Sequence, residues 1–313
     1  MAILSFIGKR AAAAGLLLCV LSVLTFALLA AAPGSPEQVL LGNRPSTPET
    51  RAAIRTEYLL DEPVAVRYVH WLGKALEGDF GTSSYSREPV TSVIGQRLPV
   101  TAALAVYGMA LTLIVAIPAG LIAGLRRGSA VDQGISTAAL VAASIPSFVL
   151  GLILLYGFAV ALGWFPVYGT GGLAHLTLPA IALAAGEAAI IIRQTRAAAL
   201  DLAGQDYLTF ARARGLGRSR IWISYALRNA SLPILTVGGL TLAAYLTGAV
   251  FVERIFSLPG LGSLLIQAVG QKDVPLVQAL VLLGGSIVVA VNLLIDLAYL
   301  AVDARVRHGV MEP

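Results

Sequence analysis

Cysteine, histidine, lysine and charge are all scarce in this chain. It has one cysteine, three histidines and three lysines in 313 residues, and 12% of its residues are charged. The single cysteine, Cys19, lies in an apolar run and excludes both an intramolecular disulfide and a cysteine-based metal cluster. His70, His175 and His308 are far apart, lack metal-ligand spacing and read as ordinary loop residues. None of Lys9, Lys74 and Lys272 ends a glycine-rich phosphate loop, so no nucleotide-hydrolysing Walker A segment is present. No Ser/His/Asp set and no paired catalytic carboxylates point to an intramembrane enzyme. The net charge of +5 is no nucleic-acid signal, because the basic residues sit where they would orient membrane spans.

What the chain has is apolar length. It is 57% hydrophobic with a mean hydropathy of +0.82, the composition of a polytopic membrane protein. Six apolar stretches stand out, at 11–32, 99–125, 135–162, 177–192, 233–252 and 279–302. Each approaches the roughly 20 residues that cross a bilayer as a helix, the fourth only just. The expected fold is therefore all-α, with six transmembrane helices and a helical insertion between the first two. With the N-terminus inside, Lys9/Arg10, Arg126/Arg127, seven arginines between 193 and 232, and Arg305/Arg307 all fall on the cytoplasmic side. The two short outer loops hold only Arg254 and Lys272, and the long 33–98 segment crosses largely regardless of its charge. Both termini and the Arg193–Leu232 loop are thus expected in the cytoplasm. The first stretch also has features of a secretory signal, but its apolar run is long for a signal core and reads as a retained helix.

Three segments follow: 1–32 with the first span, 33–98 outside, and 99–313 as the membrane core. Segment 33–98 is polar, punctuated by Pro and Gly, and carries eight of the 17 acidic residues. Within it, Thr47–Leu76 is expected to hold helices, with Thr47 as cap before Pro48 and an apolar face of Val64, Val69, Trp71 and Leu72. It serves either as a cover over an outer mouth or as a docking surface for an external partner, and the two roles are compatible.

The loop 193–232 has the most pattern. Residues 206–214 suit a short helix with Asp206 near its start and Arg212 and Arg214 near its end, matching the helix dipole. Gly215 follows as a left-handed cap. After a break at Gly217, Ile221–Leu232 resumes a helical pattern, and Pro233 opens the fifth span, where a missing N–H is tolerated. Ala211 and Ala213 would let the first helix approach another surface closely. The bland alternative is a basic loop lying on anionic lipid.

This loop resembles the EAA motif of membrane subunits of ATP-binding-cassette importers, in the dipeptide/oligopeptide/nickel permease branch. The resemblance rests on DYLTFARARGLGRSRIWISYALRNASLPILTVGGL (206–240), GAVFVERIFSLPGLGSLL (248–265), NLLIDLAYLAVDARVR (292–307) and GDFGTSSYSREPVTSVIGQRLPVTAAL (78–104). Thr209-Phe210-Ala211 stands where the general motif has Glu-Ala-Ala, and the Gly215-to-Pro233 interval is longer than usual; both features match the peptide branch. The resemblance implies a coupling helix made of Asp206, Tyr207, Ala211, Arg212, Ala213, Arg214, Gly215, Leu216, Gly217 and Arg220, seated in a cytoplasmic ATPase. It implies a second, homologous permease subunit, one or two ABC ATPase subunits holding ATP and magnesium, and an extracytoplasmic substrate-binding protein. The chain itself would bind no cofactor and no nucleic acid. It would sit in the bacterial cytoplasmic membrane. Phe256, Pro259 and Gly260 would help form an outer gate.

Glu187 and Asp296 fall inside apolar stretches, and Asn292 lies one turn before Asp296. A carboxylate there either serves function or makes a structural hydrogen bond between helices. Gly120/Gly124 and the pairs Gly238/Gly239 and Gly284/Gly285 permit close packing or, in the fifth span, hinging. Pro118 and Pro146 are expected to kink their helices. A self-contained, ion-coupled secondary transporter is the competing reading, weakened by few membrane charges and no internal repeat.

Overall fold

In a bilayer every backbone N–H and C=O must be satisfied within the protein, and a helix does this with its own residues. The apolar runs accordingly fold as helices. The computed structural model describes residues 2–31, 36–42, 46–203, 214–215, 217 and 227–302. Helix α1 is Ala2–Ala31, followed by the short α2 (Pro36–Leu41), α3 (Pro48–Glu57) and α4 (Val64–Leu76). Then come α5 (Val90–Leu125), α6 (Ala130–Ser144) and α7 (Ser147–Leu154), which runs on as a π-helical segment, Leu155–Ala161. The rest is α8 (Leu173–Ala203), α9 (Leu227–Gly248), α10 (Val250–Ile255), α11 (Leu261–Gly270) and α12 (Val274–Val302). Among the described residues the β-structure is one isolated bridge, Thr82 to Pro89.

Four helices among the described residues are long and apolar enough to span a membrane: Ile7–Ala27 of α1, α5, Leu173–Asp201 of α8, and Val274–Ala298 of α12. The third expected stretch, 135–162, is not one straight helix. It bends by 98° between α6 and α7, at Ile145-Pro146, so the proline expected to kink the helix breaks it. The assigned helix of α5 continues through Pro118. At the place of the fifth expected stretch stands α9, which starts at Leu227 and so carries Pro233 inside it rather than at its first turn. The fourth stretch is longer than expected. Helix α8 runs through Arg193–Ala203, eleven residues that were assigned to the loop, because Arg, Gln, Leu and Ala are all good helix formers.

By contact, the chain forms two compact units that each gather separate segments: residues 3–102 with 259–290, and residues 103–258 with 291–313. In the first, Val90, Leu261, Leu264, Leu276 and Leu280 make one core and Leu40, Leu41, Ile54 and Val274 another. The end of α1 is tied to α4 by a Phe26–Tyr68–Trp71 aromatic group and by a 2.8 Å hydrogen bond between the Ser22 and Tyr68 hydroxyls. Thr47 caps α3 as expected, its hydroxyl accepting from Thr50 N–H at 3.2 Å. The apolar face expected for α4 is only partly covered: Trp71, against Phe26 of α1, and Leu72 are half-buried, whereas Val64 and Val69 are exposed.

The core of the second unit is built largely of alanine: Ala116, Ala139, Ala188 and Ala189 with Ile191 and Ile192. Small side chains let backbones approach closely, which is how helices associate where lipid supplies no hydrophobic drive. Helix α8 is the central element; 56% of its most apolar window is buried, against 11% for α1.

Candidate coupling and translocation site

The described part of the expected coupling loop is its turn. Gly215 has φ +71°, a left-handed conformation, and Arg214, Gly215 and Gly217 are exposed. Asp206, Tyr207, Ala211, Arg212, Ala213, Leu216 and Arg220 lie outside the described residues.

The root of that loop is built in detail. Two turns before residue 204, Arg196 of α8 grips Asp132 of α6 with both arms of its guanidinium. Nε donates to Oδ1 at 2.6 Å and a terminal nitrogen donates to Oδ2 at 2.9 Å. Asp132 is 3% exposed and also accepts from the Gly128 N–H at 2.9 Å and from the Ser136 hydroxyl at 3.4 Å. Ser129 caps α6, accepting from the Asp132 N–H at 3.3 Å. A forked arginine–carboxylate pair of this kind is charge-assisted and geometrically specific. Behind it, α5 lies against α8 through Gly120 and Gly124. A Cβ at Gly120 would stand 2.6 Å from Thr195 Cβ and 2.7 Å from the Ile192 carbonyl; one at Gly124 would stand 2.6 Å from Ala199 Cβ and 2.9 Å from the Arg196 carbonyl. The G-x-x-x-G is therefore a contact that only glycine permits.

Deeper in the same unit is a polar network. The Thr112 hydroxyl donates to the Gly108 carbonyl at 2.8 Å and meets the Tyr245 hydroxyl at 2.9 Å, and Tyr245 reaches the Leu183 carbonyl at 3.2 Å. Glu187, half-buried, accepts from the Thr241 hydroxyl at 3.2 Å. This bond joins α8 to α9. Asp296 is half-buried and Asn292 exposed. Gly239 packs against Ile295, whereas Gly238 lines an open apolar groove of about 530 Å³ with Leu113, Leu242 and Leu294.

At the other end, α7 packs on α8 and on α10. The rings of Phe148 and Phe251 meet at 6.0 Å, tilted by 50°, and Gly151 makes room for the buried ring of Phe256, whose edge is 3.4 Å from where a Cβ would stand. Ser257 turns the chain with φ 52°. Within the first unit, Pro259 is half-buried, and the buried Gly260 caps α11 in extended conformation.

Sequence reasoning missed Asp132 and Arg196. The signal was present: Ser129-Ala-Val-Asp132 has the spacing of a helix-opening capping box. Arg196 was counted only as one of the loop's basic residues.

Comparison with known proteins agrees with this architecture. Residues 116–308 match the family described as binding-protein-dependent transport system inner membrane component, and residues 3–105 match the N-terminal region of such membrane components. A putative peptide transport system permease protein of Brucella abortus is 39% identical over 308 residues, covering 96% of this chain and 98% of the relative. The oligopeptide transport system permease protein AppB of Bacillus subtilis is 37% identical over 299 residues, covering 92% and 94%. The di/tripeptide transport system permease protein DppB of Pseudomonas aeruginosa is 38% identical over 336 residues, covering 97% and 99%. Among solved structures, an inward-facing MetNI methionine ABC transporter has a chain of the same fold, with a TM-score of 0.55 and 20% identity over 69% of this chain and 99% of that one. None of these similarities favours a self-contained secondary transporter. With both halves matched in order and nearly the whole length of curated permeases aligned, the chain belongs to the binding-protein-dependent transport system inner membrane component family and is a permease subunit of an ABC importer.

Proposed function

We propose that this chain is one half of a two-permease pore that moves di- or oligopeptides into the cytoplasm. The observation that carries the substrate class is near full-length similarity to permeases named for peptide, oligopeptide and di/tripeptide transport. The second permease is a homologous subunit. One or two cytoplasmic ABC ATPases hold the ATP and magnesium, and an external binding protein delivers the peptide. Residues 206–220 seat in the ATPase as the coupling helix. ATP-driven closure of the ATPases then moves that helix as a lever and switches the pore between inward- and outward-facing states.

Both termini lie in the cytoplasm and 33–98 lies outside. The arginine-rich short loops support this orientation. Phe256, Pro259 and Gly260 belong to the outer gate. The turn at Gly215 and the buttressed root at Arg196 support the lever reading, because a lever needs a stiff attachment.

The test is affinity purification of the tagged chain from its native membrane in mild detergent, followed by mass spectrometry and uptake of a labelled tripeptide in proteoliposomes. The expected result is recovery with a second permease and ABC ATPases, and uptake that requires ATP. Recovery of the chain alone, with uptake driven by an ion gradient, overturns the proposal.

A further inference from the structure

The structure joins the root of the coupling loop to the outer end of the second unit through one continuous set of contacts. Arg196 of α8 holds Asp132 in the first turn of α6 by a two-pronged ion pair. Helix α6 ends at Ser144, and the chain turns through 98° into α7. Helix α7 then packs on α10, with Phe148 against Phe251 and Gly151 against Phe256. The glycine contacts of Gly120 and Gly124 keep α8 seated on α5, leaving no slack in which Arg196 could shift alone.

We propose that the Asp132–Arg196 pair is the joint through which displacement of the 204–226 segment reaches α6 and, across the Ile145-Pro146 elbow, the Phe256 region. This inference rests on the coupling-loop reading above, and names the part of the permease that receives the loop's movement. Asp132 and Arg196 are positioning residues. They act by making α6 follow α8.

Three features argue for a joint over a simple staple. The pair lies where α8 leaves the core, two turns from the segment that the motor would move. The guanidinium fork fixes orientation as well as distance, which a point charge would not do. Asp132 is held at its own end by the Gly128 N–H and the Ser136 hydroxyl, so force on the arginine is passed to the start of α6 rather than absorbed by a swinging carboxylate. The elbow then converts a movement of α6 into a rotation of α7, as packed helices joined at a sharp break do in hinge motions.

The experiment uses the whole transporter in lipid nanodiscs, with Cys19→Ser and Ser257→Cys in this chain. Ser257 is exposed and adjoins Phe256. A membrane-impermeant maleimide reports its labelling rate without nucleotide and with ATP plus vanadate, normalised to assembled complex. With the native pair, the two rates should differ by about tenfold, as expected of a two-state element strongly biased by its ligand. Asp132→Asn should reduce that difference to less than about twofold, and Arg196→Lys, which keeps charge but loses the fork, should give an intermediate value. The exchange Asp132→Arg with Arg196→Asp should restore most of the difference.

A full nucleotide response in Asp132→Asn overturns the proposal. So does a loss that is accompanied by a fall in the yield of assembled complex and is not rescued by the exchange, since that is a folding role. No nucleotide response with the native pair intact overturns the coupling-loop reading itself, and the joint with it.

Discussion

Asp273 and Asp132 are both buried and both open a helix, but they are satisfied in opposite ways. Asp273, at 0% exposure, takes a short hydrogen bond from the Ser83 hydroxyl, the N–H of Ser84 at 3.1 Å and of Tyr85 at 3.5 Å, and that of Leu276 in its own helix at 3.4 Å. Its charge is spread over backbone dipoles, and the loop 83–85 is wrapped around it. Asp132 instead meets a full positive charge on another long helix. The first arrangement fixes a loop in place. The second ties α6 to α8, two turns before the proposed coupling segment. Both offset the cost of burying a carboxylate, but the ion pair joins two helices whereas Asp273 holds a loop to a helix end.

The largest way to break this contrast is to push the helices of the second unit apart. Gly120→Leu forces a side chain into a space where even a Cβ is 2.6 Å from Thr195. Overpacking at a tight contact costs about 1–3 kcal/mol or more, and the displaced α8 carries Arg196 away from Asp132. Assembled transporter, measured by size-exclusion chromatography from membranes, should fall severalfold. Gly134→Leu, on α6 where a Cβ meets nothing within 4 Å, should leave it unchanged. Equal yields for the two variants would show that the α5–α8 contact is slack.

A smaller and more selective effect is expected at Asp273. Asp273→Ala removes a helix cap and leaves the Ser83 hydroxyl and the Ser84 N–H without the acceptor that holds them. Loss of such buried partners costs about 1–3 kcal/mol. Thermal stability should drop, and protease cutting within 82–88 should rise. Peptide transported per ATP should stay at the wild-type value, because the hydrogen bonds of Asp273 go to the 83–85 loop and to its own helix. A lowered transport ratio in Asp273→Ala would erase the distinction between the two aspartates.

Much of the fold was legible because its cause is local. Apolar runs gave the helices, Thr47-Pro48 gave the start of α3, and Gly215 gave its left-handed turn. What escaped has non-local or competing causes. The polar run Arg193–Ala203 looks like loop by hydropathy, but propensity carries α8 through it. Pro146 was read as a kink in one span, whereas the chain bends sharply there, and of the apolar face expected for α4 only Trp71 and Leu72 are covered while Val64 and Val69 are exposed. The Asp132–Arg196 pair spans 64 residues, and nothing in the local pattern names the partner. The candidate coupling residues were found by pattern and the joint beneath them only by geometry.

The smallest effects belong to α3, exposed and remote in sequence from both aspartates, and they provide the baseline for the others. Thr47→Ala removes an N-cap worth about 1 kcal/mol. Glu49 is held below the usual carboxylate range by its own backbone N–H and by the Thr47 hydroxyl, and Asp61 is lowered by its hydrogen bond from Arg55. A carboxylate with a depressed folded-state pKa stabilises the fold above its unfolded value, and that support fades as pH falls through the lowered one. Opening of 48–57, followed by hydrogen exchange corrected for the intrinsic rate, should therefore rise below about pH 4, the ordinary carboxylate range. Both groups are solvent-exposed, so the amplitude is small and shrinks with added salt. In Thr47→Ala the helix should open more readily at neutral pH and the Glu49 share of the acid response should diminish. An unchanged acid response would mean that the backbone N–H alone sets Glu49, and the Thr47 hydroxyl serves only the helix end.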